Sequence, residues 1–347
     1  MKKILITISI LLLFISCSQR PSKQNNISSQ SSESSKPKIS DYFPFTPNIR
    51  MQYEGIGNEY AEKDVYVDYI NNNRIQLRVI NPGTVLGQVI ENKDGQLRLI
   101  ASIGEFYNRD DLTSYDNNNP EILLKEPLEK GTTWTLPDGN KRYISNTDVN
   151  ISVPYGTFKA LEVTTEYTDS KTYDYYVLNL GHVKTIYKSN DFTVETNLSK
   201  FQKDASVTQT IKFYYPNLDS EKAIYIKEKI NFKTNDRLKD IFEKYFKKSP
   251  KGNFRLMSNN TKINKLYLNR AENKVYIDFS KEFISEMNAG SALEGLILLS
   301  VTNTLGDYYN VDKVYITIEG KPYSSGHFEV KEGEPFYVDY KKVMEYK

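Results

Sequence analysis

Between about residues 41 and 204, apolar side chains recur at every second position. That period of two leaves the extended, half-buried strand as the regular structure able to use the pattern. Val65, Val67 and Tyr69 alternate with Tyr66, Asp68 and Ile70, and Ile75, Leu77 and Val79 alternate with Gln76, Arg78 and Ile80. The habit returns over residues 158–167, 173–178, 182–187 and 192–198. Turn-forming residues separate the runs: Asn71-Asn72-Asn73, Lys93-Asp94-Gly95, Thr168-Asp169-Ser170 and Ser189-Asn190-Asp191. Strands so closely spaced predict an antiparallel meander, a large curved sheet able to wrap into a half-barrel. The one helical signal in this stretch is a turn near residues 120–124. Trp134, the single tryptophan, suits a core anchor better than a ligand platform.

From about Thr208 the period changes. Ile211, Phe213 and Tyr215 mark a strand that should stop at Pro216. Thr234 is placed to cap a helix whose apolar stripe is Leu238, Ile241, Phe242, Tyr245 and Phe246, ended by Ser249-Pro250 and Gly252. Residues 263–268 and 275–279 have hairpin spacing. Ser291 and Glu294 form a capping-box pattern before the stripe Leu293, Leu296, Ile297, Val301, Leu305 and Tyr308. Val314, Ile316 and Ile318 mark a last strand. The order β-α-β-β-α-β predicts two helices on one face of a three- or four-stranded sheet. The chain is therefore expected to be an α+β multidomain protein. Its segments are an antiparallel β domain over 41–205, an α+β domain over 208–340 and a tail over 341–347.

The N-terminus carries a different kind of signal. Lys2 and Lys3 precede an apolar stretch, residues 4–15, that is short for a membrane span. It ends in Phe14-Ile15-Ser16-Cys17, which resembles the lipobox of bacterial lipoproteins, with Phe14 where that motif usually has Leu. The resemblance implies a signal peptide over 1–16 and a lipid anchor on Cys17, with a diacylglyceryl group and an N-acyl chain of the palmitate kind. Two or more chains give stable anchoring on the extracytoplasmic face of the cell membrane. Residues 18–40 are Ser, Gln, Asn, Lys and Pro with almost nothing apolar, as expected of a disordered tether. Cys17 is the only cysteine, so once lipidated it leaves no disulfide and no Cys-based metal site.

Several runs in the last third resemble GerMN domains of sporulation and spore-germination proteins. They are Phe213-Tyr214-Tyr215-Pro216-Asn217, Val275-Tyr276-Ile277-Asp278-Phe279-Ser280, Met287-Asn288-Ala289-Gly290-Ser291, Asn303-Thr304-Leu305, Val311-Asp312-Lys313-Val314 and Gly326-His327-Phe328. Gly131-Thr132-Thr133-Trp134 and residues 153–158 resemble runs common in extracytoplasmic β-rich lipoproteins. The GerMN resemblance covers roughly residues 208–340. It implies an extracytoplasmic module whose fold resembles the ring-building modules of sporulation complexes, working by protein–protein assembly, with no catalytic residues to carry over.

The residues themselves point the same way. The two histidines, His182 and His327, lie in different segments, so no zinc site or Ser-His-Asp relay is expected, and no cofactor. Asp278 should cap the turn after its strand. Asn288, Gly290 and Ser291 present backbone N–H groups at a helix N-terminus, where an anion or a partner can bind. With His327, Lys244, Lys247 and Lys248 they form the candidate interaction surface. The net charge is only +2, yet residues 227–265 hold twelve Lys or Arg against four Asp or Glu. Such a stretch can attract anionic lipid or wall polymer. The expected function is a non-enzymatic envelope lipoprotein that docks onto protein partners in sporulation, germination or envelope maintenance. The alternatives are a binder of peptidoglycan or wall polymer, and a lipid carrier using the curved N-terminal sheet.

Overall fold

The computed structural model describes residues 36–250 and 255–346. Cys17, the signal segment and most of the expected tether lie outside the described residues. The end of that tether is nevertheless ordered. Ile39–Tyr42 form a helical turn, α1, with Ile39 buried in the core below, because an apolar residue next to a paired backbone gains more from burial than from solvation. The Ile39 N–H donates to Glu126 Oε1 (3.2 Å) and the Asn179 N–H to the Asp41 carbonyl (2.6 Å).

Twelve strands follow: β1 (Ile49–Ile56), β2 (Lys63–Asn71), β3 (Arg74–Ile80), β4 (Val85–Lys93), β5 (Gln96–Ile103), β6 (Glu121–Lys125), β7 (Thr133–Thr135), β8 (Lys141–Val153), β9 (Gly156–Glu166), β10 (Ser170–Val177), β11 (Gly181–Ser189) and β12 (Thr193–Lys203). They form one antiparallel sheet, ordered β6-β5-β4-β3-β2-β1-β12-β11-β10-β9-β8-β7. Two six-stranded meanders thus run outward from the β1–β12 pair. The turn expected near residues 120–124 is replaced by strand β6, because Leu97 of β5 pairs with Leu124 of β6 and both are fully buried. The turn chemistry is as expected: Asn72, Asp94 and Gly95 all have positive φ in two-residue hairpin loops.

The sheet curls until its two edges meet. β6 and β7 share no backbone ladder; side chains close the seam. Trp134 Nε1 and Arg142 Nη1 both donate to the Ile122 carbonyl (2.9 Å each), and Arg142 pairs with Glu121 (2.8 Å). Covering an exposed edge in this way removes a template for aggregation.

The remaining chain forms β13 (Val207–Asn217), β14 (Lys222–Phe232), α2 (Leu238–Phe246), β15 (Ile263–Asn269), β16 (Lys274–Phe279), the short α3 (Glu282–Ser285), α4 (Ser291–Tyr309), β17 (Lys313–Ile318) and three short strands, β18 (Lys321–Pro322), β19 (Phe336–Tyr337) and β20 (Val343–Glu345). The order therefore begins β-β-α, not β-α. β13 runs through Pro216 into a hairpin with β14, a strand hidden within the lysine-rich reading of 227–265. Alternate residues of β14 (Ile224, Ile226, Ile230, Phe232) face a core shared with Phe213 and Phe242. β16 and β17 pair in parallel, joined by the α3–α4 crossover. α4 is buried on nearly every side, including its polar Thr304 and Asn303. Thr304 Oγ1 accepts from the Tyr214 N–H (2.9 Å), and the Asn303 amide exchanges two bonds with the Asp339 backbone.

The starts of the two longer helices differ from expectation. α2 begins at Leu238 behind Arg237, and Thr234 is engaged elsewhere: its N–H and Oγ1 bond Asn48 while Oγ1 also donates to the Val67 carbonyl. α4 is capped by Gly290, with no side-chain cap. Glu294 turns inward, so the Ser291–Glu294 capping box does not form.

Those Thr234 bonds belong to an interface that joins the barrel to the rest of the chain, making residues 37–347 one compact unit. The outer faces of β2 and β3 are covered by the loop over 104–120 and by residues 232–236. A register shift in β2 between Val67 and Tyr69 frees Asp68 to face this layer. There Arg109 and Arg78 clamp the fully buried Asp68 carboxylate, at 2.6 and 2.9 Å. Arg109 also donates to the carbonyls of Asp68 (2.8 Å), Lys233 (2.8 Å) and Asp236 (3.1 Å), and stacks between Tyr69 and Phe232. Its own N–H donates to Tyr308 Oη of α4 (2.9 Å).

Candidate functional site

Two concave features bear on the expected sites, one in each half. The first is the barrel interior, a cavity of about 270 Å³. Its walls are the inward residues of β1 to β4, among them Met51, Val65, Val67, Leu77 and Ile90. One end is polar. Asp174 Oδ1 lies 3.0 Å from His182 Nε2 and accepts from Thr185 Oγ1 (2.7 Å), which itself sits 3.0 Å from that same ring nitrogen. A nucleophile relay needs the carboxylate and the hydroxyl on opposite ring nitrogens, so this trio is not one. Burial pushes the Asp174 carboxyl up, but His182 and Thr185 outweigh it and hold the group below the usual carboxylate range. Tyr53 donates to the His182 carbonyl (2.7 Å), and the Lys63 ammonium lies 4.9 Å from the Tyr53 ring centroid. The period-two pattern identified the apolar walls. It gave no sign of Lys63 or Asp174, which interrupt it.

The second feature is a groove along the exposed flank of α4, about 620 Å³, lined by Ser291, Ala292, Gly295, Leu299, Phe328 and Tyr337, among others. Tyr337 is 62% exposed. Of the expected surface residues, Ser291 lines this groove, and Asn288 (φ 48°) and Gly290 form the exposed turn leading into it. His327 joins them: its Nδ1 meets Glu294 Oε2 at 2.6 Å in the first turn of α4, while Tyr323 Oη donates to Glu294 Oε1 (2.7 Å). Burial raises the Glu294 pKa, but bonds from Ser325, Tyr323 and His327 prevail and hold it low. The pairing of His327 with Glu294 spans thirty-three positions and left no local signal.

Lys244, Lys247 and Lys248 lie at the end of α2. Lys247 pairs with Glu243 (2.6 Å), and Lys248 stands 3.7 Å over the Tyr245 ring and 3.7 Å from Glu228. Lys227, Lys233, Arg237 and Lys262 are likewise ion-paired. Six cations of the basic stretch thus stand beside carboxylates, which lowers the field that the stretch presents. Asp278, expected to cap its own turn, is buried. It accepts from Asn264 Nδ2, Thr317 Oγ1 and the Gly320 N–H, holding the turn after β17. Among the described residues, no group of three His, Cys, Asp or Glu side chains is placed to hold a metal, and no helix is long and apolar enough to cross a membrane.

Comparison with known proteins agrees with the resemblance read from the last third. Residues 212–324 match the Germane family, described as sporulation and spore germination. No curated protein matches the chain. Among solved structures, the tandem GerMN domains of the sporulation protein GerM from Bacillus subtilis share 17% identity with a TM-score of 0.28, over 38% of this chain and 46% of that one. The chain thus spans less than half the length of that protein. The first GerMN domain of the same protein, at 19% identity and a TM-score of 0.27, is covered over 97% of its length and 38% of this chain. A Bacteroides fragilis protein, titled as an exported protein with a YmcC-like fold, shares 13% identity with a TM-score of 0.30, over 46% of this chain and 98% of that one.

Proposed function

We propose, from the premise that residues 212–324 are a GerMN-type segment of the sporulation and germination family, that this chain is a non-enzymatic extracytoplasmic lipoprotein. It is anchored through Cys17 and docks onto a protein partner. The observation that carries the reading is the apolar groove beside the Asn288–Ser291 turn, whose α4 wall lies within the matched segment and whose other wall, Phe328 to the exposed Tyr337, follows it in sequence. An aromatic at the lip of an apolar groove is the usual form of a binding anchor. The barrel then serves as a rigid mount, since the Arg109 layer fixes its orientation to α4.

Gly295 provides the test. A Cβ there meets only the Phe328 ring, at 3.4 Å, so Gly295→Arg fills the groove without a backbone clash. Tagged wild-type protein should recover a partner from sporulating or growing cells, and Gly295→Arg should recover less than a tenth as much. Equal recovery by both forms overturns the reading. Radiolabelled palmitate incorporated into wild type, but not into Cys17→Ser, tests the anchor.

A further inference from the structure

Beyond docking, and independent of it, we propose that the barrel interior binds a single-chain amphiphile ending in a carboxylate, with Lys63 as its counter-charge. Lys63 sits in register with Val65 and Val67, so its side chain points inward with theirs. It is half-buried there, and burial pushes its ammonium below the usual lysine range, with Asp174 opposing that effect. Its contact is the face of Tyr53, 4.9 Å from the ring centroid.

The other charges lining the cavity are accounted for. Arg142 is taken up by Glu121, Thr165 and the Ile122 carbonyl, and Asp174 by His182 and Thr185. Among the described residues, Lys63 Nζ makes no hydrogen bond and no ion pair. A charge withdrawn from water is normally paired, so an unpartnered ammonium at the polar end of a largely apolar space points to an anion as what completes it. Most of the remaining lining is apolar, aliphatic on β1 to β4 with Phe43 and Tyr176 beside it and Thr46 and Gln88 as polar exceptions, which suits a hydrocarbon attached to that anion. Size narrows the class further. A cavity of about 150 Å³ takes benzene, so the 270 Å³ here takes roughly ten to twelve non-hydrogen atoms. An eight- to ten-carbon carboxylate has that size, and a two-chain phospholipid does not fit.

The experiment uses the full chain carrying Cys17→Ser, titrated calorimetrically with decanoate and, as the uncharged isostere, with 1-decanol. Wild-type barrel should bind decanoate saturably at one site and at least tenfold more tightly than decanol. Lys63→Met keeps the aliphatic stem and should abolish that preference while leaving decanol binding in place. Val79→Phe narrows the cavity and should weaken both ligands. Absence of saturable binding overturns the proposal, as does equal affinity for acid and alcohol in the wild type. So does a preference that survives in Lys63→Met, or undiminished affinity in a folded Val79→Phe protein. If Val79→Phe fails to fold, the Lys63→Met comparison decides by itself.

Discussion

Arg109→Met should cost this protein about 3–5 kcal/mol and uncouple its two halves. Arg109 is almost fully buried and bonds four groups, of which three are backbone carbonyls. Each of those carbonyls keeps a second donor in the variant: the Asn235 N–H for Asp68, the Asp236 N–H for Lys233 and Tyr69 Oη for Asp236. Their loss is therefore mild. The Asp68 carboxylate is different. It has no exposed surface, and without Arg109 it retains only Arg78 against a charge that solvent cannot reach. Removing one partner of a buried ion pair costs about 3–5 kcal/mol, mostly from the charge left behind. Met fills much of the vacated space, so the cavity contribution is small. Guanidinium denaturation should be followed at two places. Fluorescence of Trp134 reports the barrel seam, and far-ultraviolet circular dichroism reports α4. In wild type the two transitions should coincide, because the interface is continuous. In Arg109→Met both midpoints should fall, and they should separate. Arg237→Met is the control, since that exposed arginine pairs only at i,i+3 and should cost no more than about 0.5 kcal/mol. A loss under 1 kcal/mol in Arg109→Met, with transitions still superimposed, would refute the argument.

Four further substitutions test particular contacts. Gly306→Ala should destabilise by about 1–3 kcal/mol, because a Cβ there would lie 2.3 Å from Val338 Cγ1 and 2.8 Å from the Val311 carbonyl oxygen. Gly295→Ala, in the same helix but facing the open groove, should stabilise by up to about 1 kcal/mol through helix propensity; thermal melts of the pair should move in opposite directions. Glu294→Gln should cost about 1.5–3 kcal/mol at neutral pH, where the carboxylate accepts from Tyr323 and His327. Since the folded Glu294 pKa is lowered, its stabilisation is present above the unfolded value and disappears as pH falls through the folded one, so the two proteins should converge in urea titrations run at progressively lower pH. Trp134→Phe should cost about 1 kcal/mol, because Ile122 keeps its bond from Arg142, and hydrogen exchange should rise in the β6 and β7 segments before it does in β2.

Periodicity and turn chemistry determined much of this molecule without help from tertiary structure. Alternation in the runs 65–70, 75–80, 158–167, 173–178, 182–187 and 192–198 is satisfied by strands, and Asp94-Gly95 favours a tight hairpin, so the antiparallel habit of the meander is legible although β6 and the loop over 104–120 are not. The helical stripes of α2 and α4 and the β15–β16 hairpin were legible for the same reason, whereas the likeness of the last third to GerMN domains rested on particular runs such as Val275–Ser280 and Met287–Ser291. β14 was obscured because Lys227 and Lys229 stand on its outer face while Glu228, paired with Lys248, interrupts the apolar alternation of the inner one. What the sequence could not supply was which partner covers which face. Arg78, Gln76 and Asp68 look like solvated positions until a loop forty residues away and a segment some 165 residues away close over them. Glu294 looks like half of a capping box until His327 arrives from the tail. The same holds for the barrel cavity. Its walls are written in the period of two, but Lys63 faces Tyr53 and Asp174 only because β1, β2, β10 and β11 curl around a common space. A local pattern encodes that a face is buried, whereas the charge balance of the buried space depends on residues a hundred positions apart.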